Sequence, residues 1–500
     1  MHALLLADSR AGQDSPSGVA ELRPDRRAAA SVGVVATLIS WTASSIPSYW
    51  SDEVATLRAA RLGWPDLFEF LGHKDAVHAA YYSLMKLWLG LFGESELAAR
   101  SLSALAIGAA AAGLVVLLSQ VTGMRLAVLA GFIFAVLPRT TYVGIEARSF
   151  ALSAAFAVWA TVVLVVAARS QDWRWWAVYA LITAAATYVF LYSVLMLAAH
   201  VVFLLARRST RRVLVPWTVA AASAVVAAAP ILALAVGQKE QIAWLDEQPV
   251  VNVWTILVEP AFDSSWLVAA VAWCALVGLA IRGTAIWAGD QGAALRLAAA
   301  WFLVPFVLLL AADAAVGPLY TARYISFTTP AVAVLLAVAF TRSSRRYVPW
   351  VLVVVLVLAG LPTYLAQRGP SAKNGGSDLA EIADHIHANG RSGDAIYLQD
   401  AGSVTLRPRQ ALYAYPTSFA RMEDVAFDAC FTATGTFSDR TRPLGELEPR
   451  LANVDRIWAA TAGGAGSSAD LAAGAILESW GFVEADSHET NRSLITLYQR

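Results

Sequence analysis

The sequence predicts a polytopic α-helical membrane protein with about eleven transmembrane helices, amphipathic helices in its first outer loop, and a C-terminal extracytoplasmic α/β domain. Three observations predict it. Of 500 residues, 58% are hydrophobic and only 15% charged, with a mean hydropathy of +0.56, which excludes an ordinary soluble enzyme. Nearly charge-free runs of about twenty residues, long enough to cross a bilayer, recur from Ala28 to Ala366. Beyond Gln367 the texture changes to short mixed segments separated by Gly-rich turns. The formal charge is zero, from 37 basic and 37 acidic residues. No global field therefore points to nucleic acid, and the placement of charge carries the information.

Residues 1–27 read as a disordered cytoplasmic leader, polar and without helical period. The apolar patch Ala3-Leu-Leu-Leu-Ala7 lacks a preceding basic region and is too short for a signal peptide. Residues 28–366 form the transmembrane domain, with spans expected near 28–47, 98–119, 126–143, 149–168, 175–190, 191–206, 213–236, 265–282, 295–316, 327–341 and 347–366. Basic residues collect at alternate ends: Arg23, Arg26 and Arg27; Arg125; Arg169 and Arg174; Arg207, Arg208, Arg211 and Arg212; Arg282 and Arg296; Arg342, Arg345 and Arg346. The positive-inside rule makes these ends cytoplasmic. An integral protein of the plasma (inner) membrane with its N-terminus inside and its C-terminus outside follows. Cys274 lies in an apolar run and Cys430 in the polar tail, so neither a disulfide framework nor a thiolate metal site is indicated.

The outer side then comprises residues 48–96, the 146–148 turn, residues 237–265, residues 317–323, and the tail 367–500. In the first loop Ser51-Asp52 is expected to cap an amphipathic helix and Pro65-Asp66 to start another. The run Ala79 to Phe92 is apolar but too short to span, so it is expected to lie along the interface. In the tail a helix over 379–388 and strands near 395–399, 456–460 and 493–498 suggest an α/β domain with its own core. The cluster Gly463-Gly-Ala-Gly466 lacks the rest of a nucleotide fingerprint and reads as a loop.

The polar residues on this side are the candidates. Asp52 and Glu53 are open to two readings, an N-terminal helix cap worth about 1 kcal/mol or a general base for a hydroxyl. Asp75 and His78 adjoin Tyr81 and Tyr82, a setting suited to sugar or phosphate recognition; His73 and His78 are five apart, not the HExxH spacing of a zinc site. Glu146-Ala-Arg148 presses charge against the bilayer, where it must be paired or functional. An ion pair of Glu146 with Arg148 or Arg139 is one reading, and Arg148 on an anionic headgroup the other. Arg323-Tyr324 is open likewise between a snorkelling anchor and a second phosphate contact. The third loop carries Trp244, Asp246, Glu247 and Trp254, of which the tryptophans fit an aromatic belt.

The order of these features resembles the GT-C glycosyltransferase superfamily, in the branch of protein O-mannosyltransferases and bacterial aminoarabinose transferases. The matching pieces are Asp52-Glu53; Asp75-Ala-Val-His78-Ala-Ala-Tyr-Tyr82; Leu91-Phe-Gly-Glu-Ser-Glu96 with Ala99-Arg-Ser-Leu102; Glu146-Ala-Arg148-Ser-Phe150; and Ala322-Arg-Tyr324. They cover roughly residues 28–366. Where relatives often read His-Pro-Pro, this chain reads His78-Ala-Ala, which places donor or acceptor preference in question. The Ala- and Arg-rich texture is similar to actinobacterial mannosyltransferase-type relatives.

The resemblance implies inverting transfer of a sugar, with mannose expected, from a polyprenyl-phosphate donor to a hydroxyl of a cell-envelope glycolipid, glycan or protein. It implies Asp52 as base, with Glu53 supporting it. Arg148 and Arg323 would meet phosphate, and Asp75, His78, Tyr82, Glu146 and Tyr324 would line the substrate site. No nucleic acid or nucleotide cofactor is expected. Some relatives use a divalent cation, but no ligand set here compels one. Two alternatives stand beside this: transfer of a pentose such as arabinose, and a transporter or flippase of a lipid-linked sugar. The latter needs charge or helix breaks at midplane, where Asp313 is the nearest instance.

Overall fold

The computed structural model describes residues 25–500 apart from 171, 239–244, 246–250, 282–286, 288, 290 and 344. Of the leader expected over residues 1–27, residues 1–24 lie outside the described residues, as do Trp244, Asp246 and Glu247; residues 25–27 are not leader, because the first helix is capped at Asp25 and starts at Arg26.

Asp25 caps α1 (Arg26–Trp41), its carboxylate accepting from the backbone N–H groups of Arg27 and Ala28. After it come α2 (Ser51–Arg61), α3 (Trp64–His73), α4 (Ala79–Phe92), α5 (Glu96–Val121), α6 (Met124–Val136), α7 (Pro138–Val143) and α8 (Phe150–Ser170). The membrane part continues with α9 (Trp173–Val189), α10 (Met196–Ala206), α11 (Arg211–Gly237), α12 (Val253–Leu257), α13 (Glu259–Phe262), α14 (Trp266–Ala280), α15 (Gly292–Val316), α16 (Thr329–Phe340) and α17 (Val348–Ala366). A helix stands at each of the eleven expected spans. Six helical stretches among the described residues are long and apolar enough to cross a membrane, and this is an integral membrane protein.

Small residues hold the helices close, as membrane interiors demand. A methyl on Gly108 would meet the carbonyl of Gly33 at 2.7 Å, so α1 and α5 touch backbone to backbone. In α4, expected to lie along the interface, Tyr81, Tyr82 and Met85 are buried while Leu87, Leu91 and Phe92 are exposed. That division fits a helix with one side on protein and the other toward lipid.

The C-terminal domain carries a five-stranded sheet in the order β2-β1-β5-β7-β6. Its strands are β1 (Ala395–Leu398), β2 (Glu423–Asp424), β5 (Arg456–Ala462), β6 (Val483–Glu489) and β7 (Ser493–Gln499), with β3 (Phe427–Ala429) and β4 (Arg440–Thr441) a separate pair. β1, β2 and β5 run parallel; β7 lies antiparallel between β5 and β6. Helices α18 (Leu379–Asn389) and α19 (Gln410–Ala414) cover one face, and α20 (Ser468–Ser479) the other. The first face is not a private core: Ile382, Ile396 and Trp458 pack in one cluster with Leu57, Leu67, Tyr81 and Tyr82 of the outer loop. The domain is thus built onto the membrane domain rather than tethered to it. β6 was not anticipated, because its sequence Val-Glu-Ala-Asp-Ser-His-Glu is an exposed polar edge without apolar alternation.

Candidate active site

Two buried residues position the site. Glu53 is fully buried, and its carboxylate receives Arg100 Nε at 2.9 Å and Nη2 at 2.7 Å. It also accepts the backbone N–H of Ala147 at 2.8 Å. Arg100 spends its remaining donors on the carbonyls of Ser44 and Pro47, both at 2.7 Å, and Ser48 at 3.2 Å. One ion pair therefore locks α2, α5, the end of α1 and the 146–148 turn together. Glu53, expected beside Asp52 as a catalytic support, is a scaffold residue by these contacts. Neither Ser51 nor Asp52 caps α2. Trp50 occupies the cap position without a side-chain bond, and Asp52 and Glu53 stand in the first turn, about 100° apart around the helix.

With the turn fixed, Arg148 falls against Asp52. Its Nη1 donates to the Asp52 carbonyl and to the Tyr82 hydroxyl, each at 3.3 Å, and its Nε lies 4.0 Å from Asp52 Oδ2. Arg148 Nη2 is 3.1 Å from His78 Nε2. Arg323, from the turn before α16, donates to Asp52 Oδ2 at 3.1 Å, its guanidinium 5.4 Å from the Trp50 ring centre. Tyr82 in turn donates to Asp75 Oδ2 at 2.8 Å. Six of the nine residues singled out from sequence thus form one continuous network: Asp52, Asp75, His78, Tyr82, Arg148 and Arg323. The expected Glu146–Arg148 ion pair does not form, and Arg139 pairs instead with Asp263 at 3.2 Å. Arg323 is no snorkelling anchor, since it points at a carboxylate inside the protein.

Electrostatics follow from this crowding. Burial pushes the Asp52 carboxyl up, but Arg323 and Arg148 outweigh it and hold the group below its ordinary value. Asp52 still keeps 28% of its side chain exposed, so it is reachable. Burial raises Asp75 above the usual carboxylate range, only partly offset by Arg148 and the Tyr82 hydroxyl. His78 is driven well below the usual imidazole value, by burial first and by Arg148 next. A neutral His78 that accepts from Arg148 at Nε2 carries its hydrogen on Nδ1, which is buried without a protein partner. Asp75 also sits at φ 56°, ψ 29°, a left-handed conformation that Asp tolerates better than most residues.

Four further neighbours were not singled out as site residues from the sequence. Tyr192 stacks on Tyr324 at 5.1 Å, and Phe190 and Phe150 meet Tyr324 at 6.2 and 6.3 Å, forming an aromatic wall below Arg323. Lys373, from the strap that joins α17 to the C-terminal domain, is fully buried, 4.0 Å from the Tyr142 ring centre. It faces Glu146, whose two carboxylate oxygens have no hydrogen-bond partner in the protein. Burial raises Glu146 and pulls Lys373 down, while each opposes the other's shift. Aromatic packing and a lysine far along the chain leave no local sequence signal. Among the described residues no group of three His, Cys, Asp or Glu side chains is placed to hold a metal ion.

The C-terminal domain forms the roof. Arg58 of α2 donates to Asp439 at 2.6 Å and to the Phe437 carbonyl at 3.0 Å, with its guanidinium 3.6 Å over the Tyr413 ring. Phe437 meets Tyr82 edge-on at 6.2 Å and Phe70 at 4.8 Å.

Residues 79–233, under half of the chain, match the family model of dolichyl-phosphate-mannose-protein mannosyltransferases. That stretch contains Tyr82, Arg100, Glu146 and Arg148. The whole architecture is similar to ArnT from Cupriavidus metallidurans. The apo structure superposes with a TM-score of 0.56 at 13% identity, covering 93% of this chain and 97% of that one. The chain has the GT-C glycosyltransferase fold. ArnT bound to undecaprenyl phosphate superposes equally, with a TM-score of 0.57 at 14% identity over the same shares. AglB from Archaeoglobus fulgidus, in complex with an inhibitory peptide and a dolichol-phosphate, has a TM-score of 0.46 at 13% identity, covering 86% of this chain and 69% of that one. No curated protein gives a significant sequence match. The likeness to ArnT shows the fold, and the family model adds a sequence match over residues 79–233.

Proposed function

We propose that this chain is a GT-C glycosyltransferase that moves a sugar, mannose in the first instance, from a polyprenyl-phosphate donor to a hydroxyl of an envelope glycolipid, glycan or protein on the outer face of the plasma membrane. The N-terminus is then cytoplasmic and the C-terminal domain outside. The observation that carries this reading is the half-buried carboxylate of Asp52, reachable from solvent and flanked by two guanidinium groups at 3.1 and 4.0 Å. One such face suits both a base and a leaving phosphate.

Asp52 takes the proton of the acceptor hydroxyl as its oxygen attacks the anomeric carbon, and the polyprenyl phosphate leaves from the opposite side, inverting the centre. The arginines have two tasks in sequence. Without donor they neutralise Asp52 and keep it a poor base. A lipid phosphate drawn to Arg148 and Arg323 competes for the same donors, so donor binding raises the basicity of Asp52 just when the acceptor needs it. Neutral His78 and Tyr82 orient Arg148 without adding charge, and Asp75 fixes the Tyr82 hydroxyl. The aromatic wall of Tyr324 and Tyr192 lines the route toward the lipid. The match to mannosyltransferases supports mannose over a pentose.

The test is transfer in proteoliposomes supplied in turn with polyprenyl-phosphate-linked mannose and arabinose. Turnover of the mannose donor is expected; turnover of the arabinose donor alone would overturn the sugar assignment. Movement of lipid-linked sugar across the bilayer without transfer would favour the flippase reading.

A further inference from the structure

The C-terminal sheet contains a ligand-sized cleft that the chemistry above does not use. Neighbouring strands β1 and β5 run parallel. The chain leaves β1 through α19 toward β2, on the face shared with the outer loop, and leaves β5 through α20 toward β6, on the opposite face. Where adjacent parallel strands send their connections in opposite directions, a crevice opens beyond their carboxyl ends, the usual ligand position in open α/β sheets. A cavity of about 380 Å³ lies there, lined among others by Tyr397, Gln399, Asp400, Arg442 and Thr461. That volume is within the range of small-molecule sites.

Its chemistry is neutral. Asp400 pairs with Arg407 at 3.2 Å, and Arg442 pairs with Asp428 at 3.3 Å, so both charged groups on the wall are already matched. The adjoining glycine loop is closed to phosphate. The N–H of Gly466 donates to Asp470 Oδ2 at 2.9 Å, which sets a carboxylate at the start of α20 where an anion would bind. Gln399 spends its carbonyl oxygen on the Ala462 N–H at 2.7 Å, leaving its amide hydrogens for a guest. An aromatic ring, an amide, a hydroxyl and a matched carboxylate suit a polyol ring, with a flat C–H face and several hydroxyls. They suit neither an ion nor a nucleotide.

We infer that this cleft is a second carbohydrate site, taking one neutral monosaccharide unit of a glycan. Its rim at Thr441 and Arg442 continues directly from the segment carrying Phe437 and Asp439, which packs on Arg58 and Tyr82. A glycan held in the cleft is therefore held by the domain that roofs Asp52. Only this last role, acceptor capture, rests on the proposed transferase activity. Binding itself requires no turnover.

The test is binding of methyl α-mannopyranoside to the purified full-length protein, read by saturation-transfer NMR, with methyl glucoside and galactoside beside it and inorganic phosphate as competitor. At least one glycoside is expected to bind. Tyr397→Ala and Gln399→Ala should weaken it about tenfold, whereas Asp52→Asn should leave it unchanged. Ala472 is exposed on the cavity wall, so Ala472→Trp should block the cleft without disturbing the core, even where Tyr397→Ala fails to fold. Binding to none of the glycosides, indifference to Ala472→Trp, loss with Asp52→Asn, or displacement by phosphate would each overturn the inference. None of these results depends on whether the transferase reaction is correctly assigned.

Discussion

Glu53→Gln separates a scaffold carboxylate from a catalytic one. The substitution keeps the shape and one acceptor but removes the charge that balances Arg100, while both side chains have no exposure at all. Breaking one half of a buried ion pair costs about 3–5 kcal/mol. Here the range should hold, because Arg100 is kept in place by three backbone carbonyls and cannot swing to water. For a chain of this length 1 kcal/mol corresponds to roughly 1–2 °C in Tm, extrapolating the size trend, so a drop of ~3–10 °C is expected. Thermal unfolding in detergent, followed by tryptophan fluorescence, measures it. Replacing both partners by apolar residues, Glu53→Leu with Arg100→Leu, should recover part of the loss, since no uncompensated charge then stays buried. A Glu53→Gln protein that melts with wild type would refute the scaffold assignment. So would one that melts normally yet loses transfer.

Other outcomes follow from the same contacts. Arg323→Ala and Arg148→Ala should each lower transfer by about 10²–10³-fold, and the Lys replacements should recover only part, because a point charge cannot imitate the bidentate fork. Initial rates against donor concentration check this. Lys373→Met should destabilise the protein, and adding Glu146→Gln should restore some of that stability. A coupling of about 0.5–3 kcal/mol from unfolding of the two single variants and the double is expected for groups in one network. For His78 the folded value lies below the unfolded one of about 6.5, so the unfolded chain binds the extra proton first. Stability is then full above pH ~6.5 and falls as pH drops from there toward the lowered folded value. A Tm-versus-pH profile should lose that part of its acid slope in His78→Asn.

Much of this was legible in the sequence, for physical reasons. The bilayer imposes long apolar runs, so every span expected from hydropathy has a helix near it. Charges at helix ends are costly unless paired or functional, which singled out Asp52, Arg148 and Arg323, and the three do converge. The adjacency of Asp52 and Glu53 also foretold two different surroundings, since neighbours on a helix diverge, and they meet Arg323 and Arg100 respectively. What was hidden depends on long-range packing. Arg100 lay within a quoted segment, but nothing local tells a buried partner from a solvated arginine. Lys373 is brought near enough to Glu146 for each to feel the other's charge, across more than two hundred residues of chain. The shared core of the C-terminal domain was missed because apolar faces reveal that they are covered, and not by what.

The central claim, that Asp52 accepts the proton in transfer, is tested most directly by Asp52→Asn in proteoliposomes, with donor binding and turnover measured on the same preparation. Turnover should fall about 10²–10⁴-fold, with melting temperature retained and donor binding no weaker, because the arginines then lose only a competitor for phosphate. Full turnover in a normally folded Asp52→Asn protein would contradict it.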